Sequence, residues 1–110
     1  MSILSFLFGT KDENITVLSA SDFKTHIQKK NVQLIDVRTP NEFKSGSIKN
    51  AKNIDIFNSA FTSKCEALKK DQAVYLYCQS GGRSRSASKK LSSMGFTEIY
   101  DLQGGISSYR

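Results

Sequence analysis

Residues 73–91 read AVYLYCQSGGRSRSASKKL. The first six are a continuous apolar, β-prone run, which predicts a strand buried on both faces. Residues 83–94 then predict a helix with Ala87, Leu91 and Met94 toward the sheet and Gly95 at its C-cap. A doubly buried strand that passes through a short glycine loop into a helix is the repeating unit of a parallel α/β sheet.

Working outward, the same alternation recurs. Residues 15–18 (ITVL) and 32–37 (VQLIDV) predict strands, 97–102 (TEIYDL) another, and 51–56 (AKNIDI) a weaker one. Between them, 21–30 predicts a helix capped by Ser21. Thr39 and Pro40 mark a second helix start, where proline's missing N–H costs nothing. Residues 58–70, with Phe57, Phe61, Cys65 and Leu68 at helical spacing, predict a third helix. Residues 104–109 suggest a final short helical turn. The expected architecture is one α/β domain over 15–110, with a five-stranded, mainly parallel sheet and helices on both faces. Residues 1–14 form an amino-terminal extension without a functional reading.

The chain has 110 residues, 38% of them apolar, enough for one core. No apolar run approaches the roughly 20 residues that span a bilayer. The opening MSILSFLFG lacks a basic leader and a cleavage site, so a cytoplasmic protein is expected. Sixteen basic residues against ten acidic give +6, but the twelve lysines are dispersed from Lys11 to Lys90. Aromatic and basic residues are not interleaved, and no nucleic-acid partner is expected. The local imbalance is sharper: between Asp71 and Glu98 stand four positive residues and no acid.

Cys65 and Cys78 are too few for a disulfide scaffold, and with the single His26 they do not supply a structural zinc set. Cys65 falls on a helical core face, and His26 lies beside Phe23 and Ile27 in a half-buried structural position. Cys78 differs. It ends a buried strand at the sheet's carboxyl edge, where sites form in parallel-sheet proteins. The helix start beyond it presents free N–H groups and partial positive charge, which lower a thiol's pKa. Gly81 and Gly82 allow successive N–H groups to converge as an anion-binding nest. Arg83 and Arg85 stand where the helix dipole disfavours cations, a placement that makes sense beside an anion. On the helical wheel Arg83 lies at the rim of the buried face and Arg85 toward solvent.

These residues resemble a known family. CQSGGRS (78–84) is similar to the Cys-x-x-Gly-x-Arg-Ser loop of single-domain rhodanese-type sulfurtransferases. LIDVRTPNEFKSGSIKNAKNI (34–54) resembles the family's Asp-Val-Arg, Glu-Phe, Gly-His-Ile and Ala-x-Asn-Ile signatures, and GFTEIYDLQGGISSY (95–109) its carboxy-terminal stretch. Three motifs occur in the family's order over about Ile15 to Tyr109. Ser47 stands where the family usually has His, Asn50 where it often has Gly, and Tyr109 where Trp is usual.

The resemblance implies that Cys78 forms the persulfide and that Gln79, Ser80, Gly81, Gly82, Arg83 and Ser84 make the sulfur-binding loop. It implies supporting roles for Asp36 and Arg38. Their residue types also allow a strand-end ion pair, with Glu42 as a further partner. The expected chemistry is two-step transfer: Cys78 takes sulfur from a small anionic donor such as thiosulfate, then passes it to a thiol or protein acceptor. No metal or organic cofactor is expected. Phosphatases and arsenate reductases share the strand–Cys-loop–helix geometry but commonly place Arg six positions after Cys. Here four residues separate Cys78 from Arg83 and six separate it from Arg85. A sulfur-relay module without turnover remains the other alternative.

Overall fold

The computed structural model describes residues 12–109, so of the expected extension 1–14 only 12–14 fall within it. The central strand β4 (Val74–Tyr77) is buried at every position, as its unbroken apolar run requires. Around it stand β1 (Ile15–Leu18), β2 (Gln33–Asp36), β3 (Lys52–Asn53) and β5 (Ile99–Leu102), in the order β1-β5-β4-β2-β3. All four pairings are parallel. Chain connections run outward from β2 to β3 and from β4 to β5 in opposite directions. The crevice beyond the carboxyl ends of β2 and β4 is therefore the topological switch point, where ligand sites form in such sheets.

One face carries α1 (Ala20–His26) and the 3-10 turn Ile106–Ser108. It buries Phe23, Leu34, Tyr75, Tyr77, Leu102 and Ile106. The other face carries α3 (Phe61–Cys65) and α4 (Gly82–Ser93), over Ile35, Val37, Leu76, Cys78, Ala87 and Leu91. The alternation along β4 assigns the layers: Tyr75 and Tyr77 point one way, Val74, Leu76 and Cys78 the other. Met94, expected toward the sheet, packs partly buried against the second layer.

Several boundaries differ from the sequence expectation. Ser19, not Ser21, caps α1: its extended backbone lets Oγ accept the Asp22 N–H at 3.2 Å. The helix stops at His26, and the chain reaches a left-handed Asn31 (φ +60°) through turns. Helix α2 (Pro40–Ser45) does begin at Thr39–Pro40, with a capping box in which Thr39 and Glu42 satisfy each other's backbone N–H. The strand expected at 51–56 shrinks to Lys52–Asn53, although the Ile54 and Ile56 N–H groups still donate to the Asp36 and Val37 carbonyls.

The helix expected over 58–70 shortens to α3. Phe57 is 71% exposed rather than in the core, because it sits in a turn where its N–H donates to Asp55 Oδ1. The C-cap of α4 is Met94; Gly95 follows with φ +104°. His26 is half-buried, with Nδ1 3.0 Å from the Tyr75 hydroxyl and its ring edge-on to Tyr75 and Tyr100. Among the described residues, no helix is long and apolar enough to cross a membrane.

Candidate active site

Cys78 immediately follows β4 and is 1% exposed. The chain then turns through Gly81, in a left-handed conformation (φ +117°), before α4 begins at Gly82. That turn brings the Gly81 N–H to 3.0 Å from Cys78 Sγ. Burial alone would push the thiol up. It is outweighed by the Ser84 hydroxyl and by the N–H groups of Ser84, Gly81 and Ser80, which hold the Cys78 pKa below its ordinary value. Cys65 shows what burial does without such donors: with Glu66 beside it, its pKa is pushed up to about 11. Two equally buried thiols thus differ in direction because only one is wrapped by a helix-start loop.

The loop rests on a second turn. Gly105 (φ +65°) lets the carboxy-terminal segment pass directly beneath it. There the Ile106 N–H donates to the Cys78 carbonyl at 2.9 Å and the Ser107 N–H to the Gln79 carbonyl at 3.2 Å. A methyl group on Gly105 would lie 2.4 Å from the Gln79 carbonyl.

Asp36 and Arg38 reach the site from β2. Asp36 pairs in register with Tyr77, so its neighbours lie alongside the residues that open the loop. Both side chains are buried, with Arg38 Nη2 2.8 Å from Asp36 Oδ2. The same guanidinium donates to the Gly46 carbonyl at 2.6 Å and to Gln79 Oε1 at 3.2 Å. Arg38 therefore connects strand end, turn and cysteine loop. Glu42 is not part of this pair. It binds Arg83 instead, with both carboxylate oxygens at 2.7 and 2.9 Å. Arg83 thereby stands at the rim with its charge already met, and Arg85 is exposed. Gln79 is half-buried, Ser80 and Gly82 are exposed, and Ser84 is buried.

One residue, Asp101, escaped the sequence reading. Ser84 was placed in the loop, but its position on the buried helix face follows from its spacing with Ala87, Ser88 and Leu91. Asp101 lies inside the quoted stretch 95–109 but was given no role there; it is 3% exposed on β5, with Oδ1 2.6 Å from Ser84 Oγ. An acid inside an otherwise apolar strand, IYDL, was the available signal. Among the described residues, no three His, Cys, Asp or Glu side chains gather as a metal-binding group. A groove of about 920 Å³ is lined by residues that include Lys24, Lys29, Lys30 and Lys49 but not Cys78.

Sheet order and loop together define an α/β protein with a cysteine cradled at a strand-to-helix turn. The family model of the rhodanese-like domain matches residues 19–110, and the chain belongs to that family. It is 41% identical over 92 residues to the uncharacterised protein YqhL of Bacillus subtilis (strain 168), covering 84% of this chain and 70% of that one. It is 33% identical over 98 residues to a tRNA uridine(34) hydroxylase of Legionella pneumophila (strain Corby). That match covers 86% of this chain but only 39% of the relative's length. Among solved structures, the rhodanese-like domain protein of Staphylococcus aureus superposes with a TM-score of 0.76 at 26% identity, covering 86% of this chain and 91% of that one.

Proposed function

We propose that residues 15–110 form a sulfurtransferase domain, a transferase of the rhodanese type, that carries sulfane sulfur on Cys78. The observation that carries this reading is the Cys78 thiol itself, buried yet held below its ordinary pKa by converging donors. The Cys78 thiolate attacks the outer sulfur of thiosulfate. A sulfur–sulfur bond forms to Cys78, the bond to the SO3 group breaks, and sulfite leaves with the electron pair. The persulfide's terminal sulfur is anionic and rests among the N–H groups of the loop. An acceptor thiolate then attacks that sulfur and restores the Cys78 thiolate. A reactive thiol and two free cysteines suit a reducing compartment, so the cytoplasm is the proposed location.

The Arg83–Glu42 clasp argues against a phosphatase. An oxyanion-binding loop needs a guanidinium free to grip phosphate, and Arg83 spends two donors on Glu42. Mass spectrometry after mixing reduced protein with thiosulfate tests the proposal. The expected result is one added sulfur atom on Cys78, lost in Cys78→Ser and retained in Cys65→Ser. No added sulfur, with hydrolysis of an aryl phosphate, would reverse the assignment.

A second reading concerns the acceptor. The lysine groove has no acidic side chain among its described lining residues, and the Legionella relative is named for a tRNA modification. In this reading the domain serves a polyanionic RNA. Binding to bulk tRNA that weakens steeply with salt would support it; no binding at low salt would remove it, leaving a thiol or protein acceptor.

A further inference from the structure

On the sheet face that carries α1, the groove of about 920 Å³ runs between the end of α1, the connection from α2 to β3 and the last turn of the fold. It lies apart from the Cys78 side chain, which packs in the opposite layer. Its rim carries Lys24, Lys29, Lys30 and Lys49. All four are exposed, and among the described residues none of them pairs with a carboxylate. The floor differs in kind. Ile27, Val32, Ile48 and Ile106 line it, buried or half-buried against the core of that face. Four unmatched cations around an apolar floor complement a ligand with acids at its flanks and an apolar centre.

We infer that the groove is a docking site for a short acidic segment of a partner protein, one that seats an apolar side chain between its acids. The lysines meet the carboxylates, and the apolar side chain leaves water for the floor. Two lining residues also brace the cysteine loop. The Gly46 carbonyl accepts from the Arg38 guanidinium that holds Gln79, and the Ile106 N–H donates to the Cys78 carbonyl. A segment seated there rests on the supports of the loop, so the partner is the protein that delivers sulfur to Cys78 or takes it away. That last step rests on the sulfur-transfer reading; the docking site itself does not.

A polyanionic RNA is the competing occupant, and the floor argues against it. Bases need an open aromatic face on which to stack. Tyr109 is the one aromatic residue of the described lining, and the Lys24 ammonium already lies over its ring, 4.8 Å from the centroid. Phosphates would meet the rim but leave the apolar floor without a partner.

The experiment titrates the full chain, isotope-labelled for NMR, with a short acetylated peptide in which a Leu-Phe pair stands between runs of Glu. The expected result is a dissociation constant below about 1 mM at low salt. Amide shifts should be confined to residues 24–32, 46–50 and 106–109. Replacing the Leu-Phe pair by Ser-Ser should weaken binding by at least about fivefold. Lys runs in place of Glu should abolish it. Combining Lys29→Glu with Lys30→Glu, both at exposed positions, should weaken the Glu peptide by about tenfold and let the Lys peptide bind. No binding of the Glu peptide, shifts centred elsewhere, or an unchanged affinity in the double variant would overturn the inference. So would equal affinity for the Ser-Ser peptide, which would leave only a charged surface. Bulk tRNA that occupies the same residues more tightly at equal salt would overturn it in favour of RNA. The peptide comparison on the unsubstituted protein stands without any variant. Since no sulfur donor is present, the docking site can fail while Cys78 still gains sulfur, and the reverse.

Discussion

Glu42 grips Arg83 with both carboxylate oxygens, at 2.7 and 2.9 Å, and so ties the first turn of α2 to the first turn of α4. The residue that looked available for an anion thus has a protein partner. That partner also closes the capping box of α2, since Glu42 Oε1 accepts the Thr39 N–H at 3.1 Å.

The clasp sets a pH dependence. Hydrogen bonding to Arg83 outweighs burial and, with Thr39, holds the Glu42 carboxyl down to about 2. A carboxyl depressed in the folded state adds stability above its ordinary value near 4.3, which disappears as pH falls toward the folded value. Glu42→Gln keeps an oxygen for Thr39 and removes the charge. At pH 7 it should lower stability by about 1 kcal/mol or less, given the partial exposure of the pair. The difference in melting temperature from the unsubstituted protein should close between about pH 4 and pH 2. A gap that is constant with pH would show that the clasp is not the source.

Arg38 is sequestered with Asp36 and makes separate bonds to Gly46 and Gln79. Lysine offers a point charge and cannot span three acceptors in one plane. Arg38→Lys should cost about 2–4 kcal/mol in urea unfolding, and Asp36→Asn about 3–5, because it strands a buried cation. A loss below about 1 kcal/mol in both would show that the pair is replaceable.

Gly105 and Gly82 make a matched pair of substitutions. Alanine at 105 meets the Gln79 carbonyl at 2.4 Å in a left-handed backbone, whereas at 82 a methyl meets nothing within 4 Å. Gly105→Ala should destabilise by more than about 2 kcal/mol and slow Cys78 alkylation by displacing the loop. Gly82→Ala should leave stability unchanged or raise it by up to about 1 kcal/mol. Equal behaviour of the two in thermal unfolding would refute the close-approach argument.

Arg85 is exposed and makes no ion pair among those of the described residues. If it acts through its field, Arg85→Ala should raise KM for thiosulfate by about two- to fivefold at low salt and converge with the unsubstituted protein at high salt. Turnover at saturating donor should change little. A fall in kcat that persists in high salt would place Arg85 in the loop chemistry instead.

The strongly patterned elements were legible in the sequence. AVYLYC could be placed because a strand buried on both faces needs an unbroken apolar run, and Thr39–Pro40 because capping is local. Short elements were less legible. Phe57, Phe61 and Cys65 share a helical period, but the side chains of Asp55 and Asn58 bind the backbone ahead of α3 and leave Phe57 outside. Periodicity reports which faces are apolar, not where a polar side chain diverts the chain.

The cysteine loop shows the same division. Chain order alone placed Cys78 at a strand end before glycines and a helix, because strand, turn and helix N-terminus are consecutive in sequence. Which groups surround that thiol is non-local. Asp36 and Arg38 arrive because β2 pairs with β4, Gly105 because the last turn folds under the loop, and Asp101 because β5 lies beside β4 under α4. Arg83 and Glu42 are 41 residues apart and meet only once α2 and α4 have docked. Local chemistry singled out Cys78 as the proposed nucleophile; the pairing of distant strands and helices decided which groups surround it.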